Sequence, residues 1–479
     1  MAITSASGID AAPRKQTLAS NYVDFTSSAT EGWAQQYLPD LMEKEAEVYG
    51  KRTIAGFLAQ VGAEEPSAAD RVIWSEQGRL HLAYTAKYVS GNNKYEIEND
   101  IDGNDVGTTP GLRVGDMVIM SLANATAKGY VSAVDPDGDN GAEFTVLSYG
   151  AANMATALGS TATTSELIRV LVIGSEFEKG SGARTAANAP KFKSHSNKHI
   201  ILRDYYEVSG SDASAIGWVE ISGEEGQNGY LWYLKAEGDT RARFADYLEM
   251  TMLEAETAVD GAGAIGGTDQ STSDGTQGLF QAITTRGHQT TGITGVNAAT
   301  DLAEFDAILA VFDANGAIEE NMMFVDRTTS LAIDDMLASM NTYGAGGTSY
   351  GVFENDEDMA LNLGFSGFRR GSYDFYKSDF KYLNDKGTRG GLNDTVNNIR
   401  GVVIPAGVSS VYDEQLGINM KRPFLHVRFR ASETESRKMK TWVTGSVGAA
   451  TSGIDSMQVH YLSERCLITQ GANNFMLMN

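Results

Sequence analysis

The sequence predicts an α+β chain, and three observations carry that prediction. A thirty-residue helical pattern runs from Tyr230 to Val259, strand-sized segments dominate 68–210 and 401–479, and a helix–strand–helix run lies between them. With 479 residues, 42% of them hydrophobic, the chain can bury a substantial core in two to four domain-sized pieces. Glycine supplies 52 residues and proline only 8, against averages of roughly 7% and 5%, which favours bends and close backbone approaches over stiff linkers.

Residues 1–30 are rich in Ser, Ala and Thr and read as an extended arm. An amphipathic helix follows, with Trp33, Tyr37, Leu38, Leu41, Met42, Val48 and Tyr49 among the charges of EKEAE, and Pro39 breaks or kinks it. Its narrow stripe of Trp33, Tyr37 and Leu41 is expected to be a contact surface between subunits. A second short helix, Lys51 to Gln60, carries Ile54, Phe57 and Leu58 on one side.

Beyond Ala68 the texture turns to RVIW (71–74), DMVIM (116–120), GYVSAV (129–134), EFTVL (143–147) and LIRVLVI (167–173), separated by the turn signals GNN, DGND, PDGDNG and GSG. The compact portion 105–175 is expected to be a small β-barrel or sandwich inserted into a longer hairpin. In the long helix, Leu234, Phe244, Leu248, Met252, Ala255 and Val259 recur at helical spacing. Thirty residues would span about 45 Å, and the cluster Gly261–Gly267 ends them.

Thr300 is predicted to cap a helix DLAEFDAILAVFDANG that stops near Gly316. MMFV (322–325) reads as a strand, and RTTSLAIDDMLASM as a helix with Leu331, Ile333, Met336 and Leu337 on its apolar side. The last third offers the strands GVVIP (401–405), FLHVRF (424–429), MQVHYL (457–462), RCLITQ (465–470) and NFMLM (474–478).

The 38 basic against 62 acidic residues give a formal charge of −24, which repels nucleic acid and anionic membranes unless basic residues are segregated. The single cysteine, Cys466, excludes an intrachain disulfide framework and any Cys-rich metal site, and reads as a small buried hydrophobe. The N-terminal thirty residues lack the apolar centre of a signal peptide and no apolar run reaches 18 residues, so a cytoplasm-like compartment is expected.

The chemistry motifs fail on their context. GAGAIG (261–266) follows a helix where a dinucleotide fingerprint needs a strand, and reads as a helix-ending loop. DPDGDNG (135–141) has Asn140 and Val146 where a calcium loop needs Gly and a bidentate Glu, and reads as a turn. His195 and His199 are four apart, but Ser196 replaces the Glu of a metallohydrolase motif and Lys191, Lys193 and Lys198 oppose a dication. They read as a basic loop or strand edge. No phosphate-binding loop or nucleophile elbow occurs, so no catalytic, cofactor-binding or metal-ligating residue is nominated and no enzyme is expected. The loose basic cluster Arg184, Lys191, Lys193, Lys198 and Arg203 is expected to meet Glu249, Glu254 and Glu256 on the long helices of neighbouring copies.

The order of these parts, together with GTQGLFQAI (275–283), DLAEFDAIL, MMFVD, TTSLAIDDML and RCLITQGANNFML (465–477), resembles the major capsid proteins of tailed bacteriophages, the Hong-Kong-ninety-seven fold. The resemblance implies an N-terminal arm and helix (1–60), then an extended-loop and peripheral-domain region (61–210). A spine helix with its following loop (211–299), an axial domain (300–400) and returning peripheral strands (401–479) complete it. The inserted β domain (105–175) departs from the minimal family pattern.

The implied function is a head protein that self-assembles through hexamers and pentamers into an icosahedral shell around double-stranded DNA, without cofactors. Implied partners are other copies of itself and portal, scaffolding and decoration proteins, with DNA enclosed but not specifically bound and no membrane. The implied location is the virion, assembled in the host cytoplasm. A two-stranded excursion and a polar arm bury too little surface within one subunit, so such a chain needs neighbours.

An encapsulin-like compartment shell has the same fold and would be told apart by a cargo-enzyme peptide. A β-rich carbohydrate-active enzyme or adhesin, suggested by 20 Tyr, 5 Trp and many short strands, predicts an aromatic-lined groove with an acid pair and no spine helix.

Overall fold

The computed structural model describes residues 56–58, 63–91, 93–107, 110–123, 125–138, 141–159, 166–182, 192–211, 221–222, 228–229, 231–258, 275–340, 367–393, 398–406, 408–413, 418–446 and 452–479. The chain divides into two compact units, Met1–Trp74 with Ser196–Asn479, and Ser75–His195.

Strands β1 (Ala63–Ser67) and β2 (Arg71–Gln77) come first. They are followed by β3 (Ala83–Ser90), β4 (Lys94–Asp100), β5 (Asp116–Leu122), β6 (Ala125–Gly138), β7 (Gly141–Ser148), a short helix α1 (Met154–Ala157) and β8 (Leu167–Ser175). Strands β3 to β8 close into a barrel in the order β3-β4-β7-β6-β5-β8. Closure removes the unpaired edges that an open sheet would present.

Alternation along each strand fills the barrel. Val118 and Met120 point inward from β5, Val131 from β6, Phe144 and Val146 from β7, and Tyr95 from β4, each at most 1% exposed. Packing is tight enough that a Cβ on Gly129 would lie 2.3 Å from the side chains of both Met154 and Val146. The barrel begins at Ala83, earlier than the boundary at 105 expected from sequence. The reason is long-range pairing, because β3 hydrogen-bonds both β4 and β8 and closes the ring.

Strand β9 (Phe192–Lys198) pairs with β2 in a two-stranded sheet, and the division between the units falls within these two strands. The remaining elements are β10 (Ile200–Ser209), β11 (Ile221–Ser222), β12 (Asn228–Gly229), α2 (Leu231–Glu254), α3 (Leu279–Arg286), β13 (His288–Thr290), α4 (Ala298–Asn315), β14 (Glu320–Val325) and α5 (Arg327–Met340). After them come β15 (Gly367–Arg370), β16 (Tyr373–Asp379), α6 (Lys381–Asn384), β17 (Gly401–Pro405), β18 (Val408–Asp413), β19 (Ile418–Pro423), β20 (Leu425–Arg430), β21 (Lys440–Gly445), β22 (Ser456–Thr469) and β23 (Met476–Met478). Two small sheets pair β11 with β12 and β18 with β19.

A five-stranded sheet runs β1-β20-β22-β10, with β21 also on β22. Its centre, β22, is one strand of 14 residues where the sequence suggested two, MQVHYL and RCLITQ. The intervening Ser463-Glu464-Arg465 reads as a polar break, yet it is buried and satisfied. Ser463 Oγ and Arg465 Nη2 donate to the Lys438 carbonyl at 2.7 and 3.0 Å, and Glu464 pairs with Arg437 at 2.6 Å.

Helix α2 lays Phe244 and Leu248 against Val459 and Tyr461 of β22. It has 24 residues, about 36 Å of rise, and stops at Glu254 instead of Val259. Tertiary backbone bonding ends it, since Gly278 N–H donates to the Ala255 carbonyl at 2.8 Å and Thr257 bridges Gly275.

The second sheet of this unit has six strands in the order β13-β23-β17-β14-β16-β15. Helices α4 and α5 cover it through Phe305, Ile308, Phe312, Ile333 and Met336. Both β17 and β23 belong to this sheet, so the boundary at 400 is not respected: β17 is fully buried beside β14, a pairing that local sequence cannot show. The cap of α4 is Asn297, whose Oδ1 accepts from Thr300 N at 3.0 Å, and not Thr300 itself; Gly316 closes the helix at φ +60°. Phe57 stacks on Phe380 and meets Phe324 edge-on, both at 4.7 Å, in the core shared by the two sheets.

Candidate interaction surfaces

The expected interface residues separate into three groups. Trp33, Tyr37, Leu41 and Lys191 lie outside the described residues. Lys193, Lys198, Arg203 and Glu256 are exposed, as an interface role requires. Glu249 and Glu254 are engaged within their own chain, which corrects their assignment as acidic surface for a neighbour.

Glu249, 9% exposed, turns from α2 toward the start of the described chain, where its carboxylate accepts from Gly56 N at 3.2 Å and Leu58 N at 3.1 Å. Burial pushes its carboxyl above the usual range, while the two backbone bonds and the nearby Arg465 pull it back. Burial likewise lowers the Arg465 guanidinium, with Glu64 and Glu249 opposing. Glu64 also pairs with Lys438, so β1, α2 and β22 share one chain of partly buried charge. Glu254, at the end of α2, accepts from Tyr382 Oη at 2.9 Å and from Arg389 Nη1 at 3.1 Å on both oxygens. Helical spacing put both acids on α2 correctly, but their inward partners are remote in sequence.

Arg203 sits on the outward face of β10, in a setting that sequence did not reveal. The pairing of β10, β22 and β21 aligns Tyr205, His460 and Trp442 in one row across three strands. His460 stacks on Trp442 at 5.1 Å and lies 6.0 Å from Tyr205, with Thr444 Oγ1 2.7 Å from its Nε2. The Arg203 guanidinium lies 6.0 Å and the Lys440 ammonium 5.9 Å from the Trp442 ring. This aromatic and cationic row is on the sheet face away from the Leu202, Val459 and Tyr461 side that receives α2. Its only sequence signal is period-two alternation in each strand, without any clue to which strands pair.

Asn197, inside the basic stretch, is buried and structural. Its Nδ2 donates to the Leu467 carbonyl at 2.7 Å and the Gln277 carbonyl at 3.0 Å, and its Oδ1 accepts from Gln277 N at 2.9 Å and Thr276 Oγ1 at 3.1 Å. It ties β9, β22 and the segment before α3 together.

The two histidines serve separate partners: His195 Nε2 lies 3.6 Å from Glu76, whereas His199 Nε2 lies 3.7 Å from Cys466 Sγ. Burial pushes the Cys466 thiol up to about 12 and lowers the His199 imidazole. A thiol held neutral beside a neutral imidazole is a packed pair and a poor nucleophile. The acidic DPDG (135–138) ends β6, which pairs with β7 through Gly138 and Gly141. Among the described residues no group of three or more His, Cys, Asp or Glu side chains could hold a metal ion, and no helix is long and apolar enough to cross a membrane.

No family model matches the chain, and no curated protein matches it. Among solved structures it is similar to one from Mycobacterium phage Ogopogo, with 13% identity and a TM-score of 0.38 over 93% of this chain and 97% of that one. The capsid of an empty GTA particle gives 9% identity and a TM-score of 0.36 over 94% and 97%. The capsid of cyanophage P-SCSP1u gives 11% and 0.33 over 64% and 80%. With identities no higher than 13% and TM-scores no higher than 0.38, the functional reading rests on the chain's own residues and architecture.

Proposed function

We propose that this chain is the major capsid protein of a tailed bacteriophage, a structural subunit without a catalytic site that assembles through hexamers and pentamers into the shell around double-stranded DNA. The observation that carries the reading is the order of parts. A barrel is set between paired strands β2 and β9, a long helix α2 follows, an α/β sheet with α4 and α5 comes next, and β20 and β22 return to pair with β1 and β10. Of the segments on which the resemblance rests, GTQGLFQAI enters α3, TTSLAIDDML lies in α5, and RCLITQ runs to the end of β22.

In this reading the arm, with Trp33, Tyr37 and Leu41, and the exposed Lys193, Lys198, Arg203 and Glu256 contact other copies. Portal, scaffolding and decoration proteins are further partners, and the chain resides in the virion after assembly in the host cytoplasm. A formal charge of −24 lets it enclose DNA without holding it. The test is negative-stain microscopy of the purified protein across assembly conditions. Closed shells, sheets or capsomers are expected, and small particles alone under every condition would overturn the proposal.

A further inference from the structure

Strand β10 is the outer strand of the five-stranded sheet: β22 lies on one side of it, and among the described residues no strand lies on the other. It runs for 10 residues, longer than the usual five or six. A long open edge is a template for another strand, because its outward amides and carbonyls have no ladder partner. Those outward groups belong to the odd-numbered residues. Gly210 N donates to the Asp455 carbonyl at 3.0 Å, continuing the β10–β22 register, so even-numbered positions bond to β22. Tyr205 N turns the other way and is met by the carboxylate of Asp204 at 2.9 Å. Arg203, Tyr205 and Glu207 are all exposed, Tyr205 by 55%.

The order of side chains along this edge is self-complementary. An antiparallel partner must set odd positions against odd ones, since only these offer backbone groups to the edge. When a copy of the same strand is turned about a two-fold axis at Tyr205, Arg203 faces Glu207, Tyr205 faces Tyr205, and Leu202 faces Val208 on the opposite face. Centring the pair on Arg203, Asp204 or Glu207 would set like charges against each other, which is destabilising. Centring it on Tyr206 would leave Arg203 opposite Ser209. One register alone joins opposite charges. Both are available for it, because among the described residues neither forms an ion pair: Arg203 lies by the Trp442 ring, and Glu207 accepts from Gln458 Nε2 at 3.1 Å.

We infer that β10 pairs antiparallel with β10 of a second copy, joining two five-stranded sheets across a two-fold axis at Tyr205; the inference rests on the shell-building role proposed above. Each odd-numbered pair exchanges two backbone hydrogen bonds, and Arg203 meets Glu207 of the second copy at both ends. An edge that recognises its own copy gives a closed, isologous contact and leaves no strand open at the junction. The row of Trp442, His460 and Tyr205 then continues on the same face into the same three residues of the second copy.

The test uses the full-length protein. Sedimentation over a concentration series reads association, and the melting temperature is the folding control. Arg203→Glu and Glu207→Arg each set like charges across the axis and are expected to weaken association about tenfold or more. The double variant, Arg203→Glu with Glu207→Arg, exchanges the signs and is expected to recover to within about threefold of the wild type. These positions are exposed, so all three variants should melt like the wild type. Tyr205→Cys places two introduced thiols at the axis with Cα atoms about 5.5 Å apart, within disulfide reach. Oxidised glutathione is expected to convert this variant to a covalent dimer, while the wild type, whose Cys466 is buried, runs as a monomer on a denaturing gel.

Single variants that associate like the wild type would overturn the inference. So would a double variant no better than either single one, or a Tyr205→Cys protein that forms no covalent dimer. A different protein, or another part of this chain, on the edge predicts these failures, because exchanging the signs restores only a self-pairing. The two readings fail separately. Covalent dimers through Tyr205→Cys without capsomers or shells under any condition remove the capsid role alone, and shells formed normally by the single charge variants remove the strand pairing alone.

Discussion

At the residue scale, two buried polar groups whose partners are remote in sequence, Asn197 and Glu249, hold the main unit together. Asn197→Ala strands the Gln277 and Leu467 carbonyls and the Gln277 amide, a cost of about 2–3 kcal/mol, and Asn197→Asp is worse because it turns a carboxylate oxygen toward two carbonyls. Thermal melts of both variants check this ranking.

Glu249 makes a prediction in pH. Its carboxyl is raised above its unfolded value by burial, so the folded state takes up a proton more readily than the unfolded chain does. Its contribution to stability is complete below the unfolded pKa and is lost as pH rises through the folded one. Glu249→Gln lacks this dependence. The wild type should therefore gain in melting temperature relative to the variant as pH falls from neutral into the acid range, and a constant difference across that range would refute the assignment.

At the element scale, helix ends are decided by what receives their backbone. Asn297→Ala removes the Oδ1 acceptor from Thr300 N and should cost about 1 kcal/mol, whereas Thr300→Ala leaves that bond in place and should cost much less. Comparing the two melts separates the cap that sequence suggested from the one the backbone selects. The junction of α2 and α3 is less forgiving. A Cβ on Gly278 would lie 2.8 Å from both the amide nitrogen and the carbonyl oxygen of Ala255, so Gly278→Ala must displace backbone and should destabilise by more than the cap variant.

At the scale of the whole molecule, the barrel has its own core around Tyr95, Met120 and Phe144, and the main unit has others around Phe57 and Phe305. Replacing Ser75–His195 by a short Gly-Ser linker between Trp74 and Ser196 should leave a folded chain. Calorimetry is expected to show two transitions in the full-length protein and one in the shortened form; loss of all cooperative melting would show that the main unit depends on the barrel. The overall charge of −24 predicts that the protein does not retain duplex DNA at physiological salt, and that Lys193→Glu with Lys198→Glu leaves that result unchanged. DNA held by the wild type and released by the double variant would make the basic stretch a nucleic-acid site.

Periodicity and turn chemistry by themselves determined the elements whose cause is local. RTTSLAIDDMLASM is α5 and GVVIP is β17, residue for residue, and Phe244, Leu248 and Met252 are the buried stripe of α2, because one apolar face at a fixed spacing needs no distant information. The inertness of Cys466 was equally legible from its apolar surroundings.

Tertiary structure alone decided where the barrel begins, that MQVHYL and RCLITQ are one strand, that β17 joins β14, and that Glu249 and Glu254 face inward. It also decided which outward residues meet: Tyr205 with His460 and Trp442 on the sheet, and Leu171 with Ile119 on the barrel. The reason is common to all of these. Alternation tells which side of a strand a residue takes, but which strand lies alongside, and in what register, depends on pairings between residues tens to hundreds of positions apart.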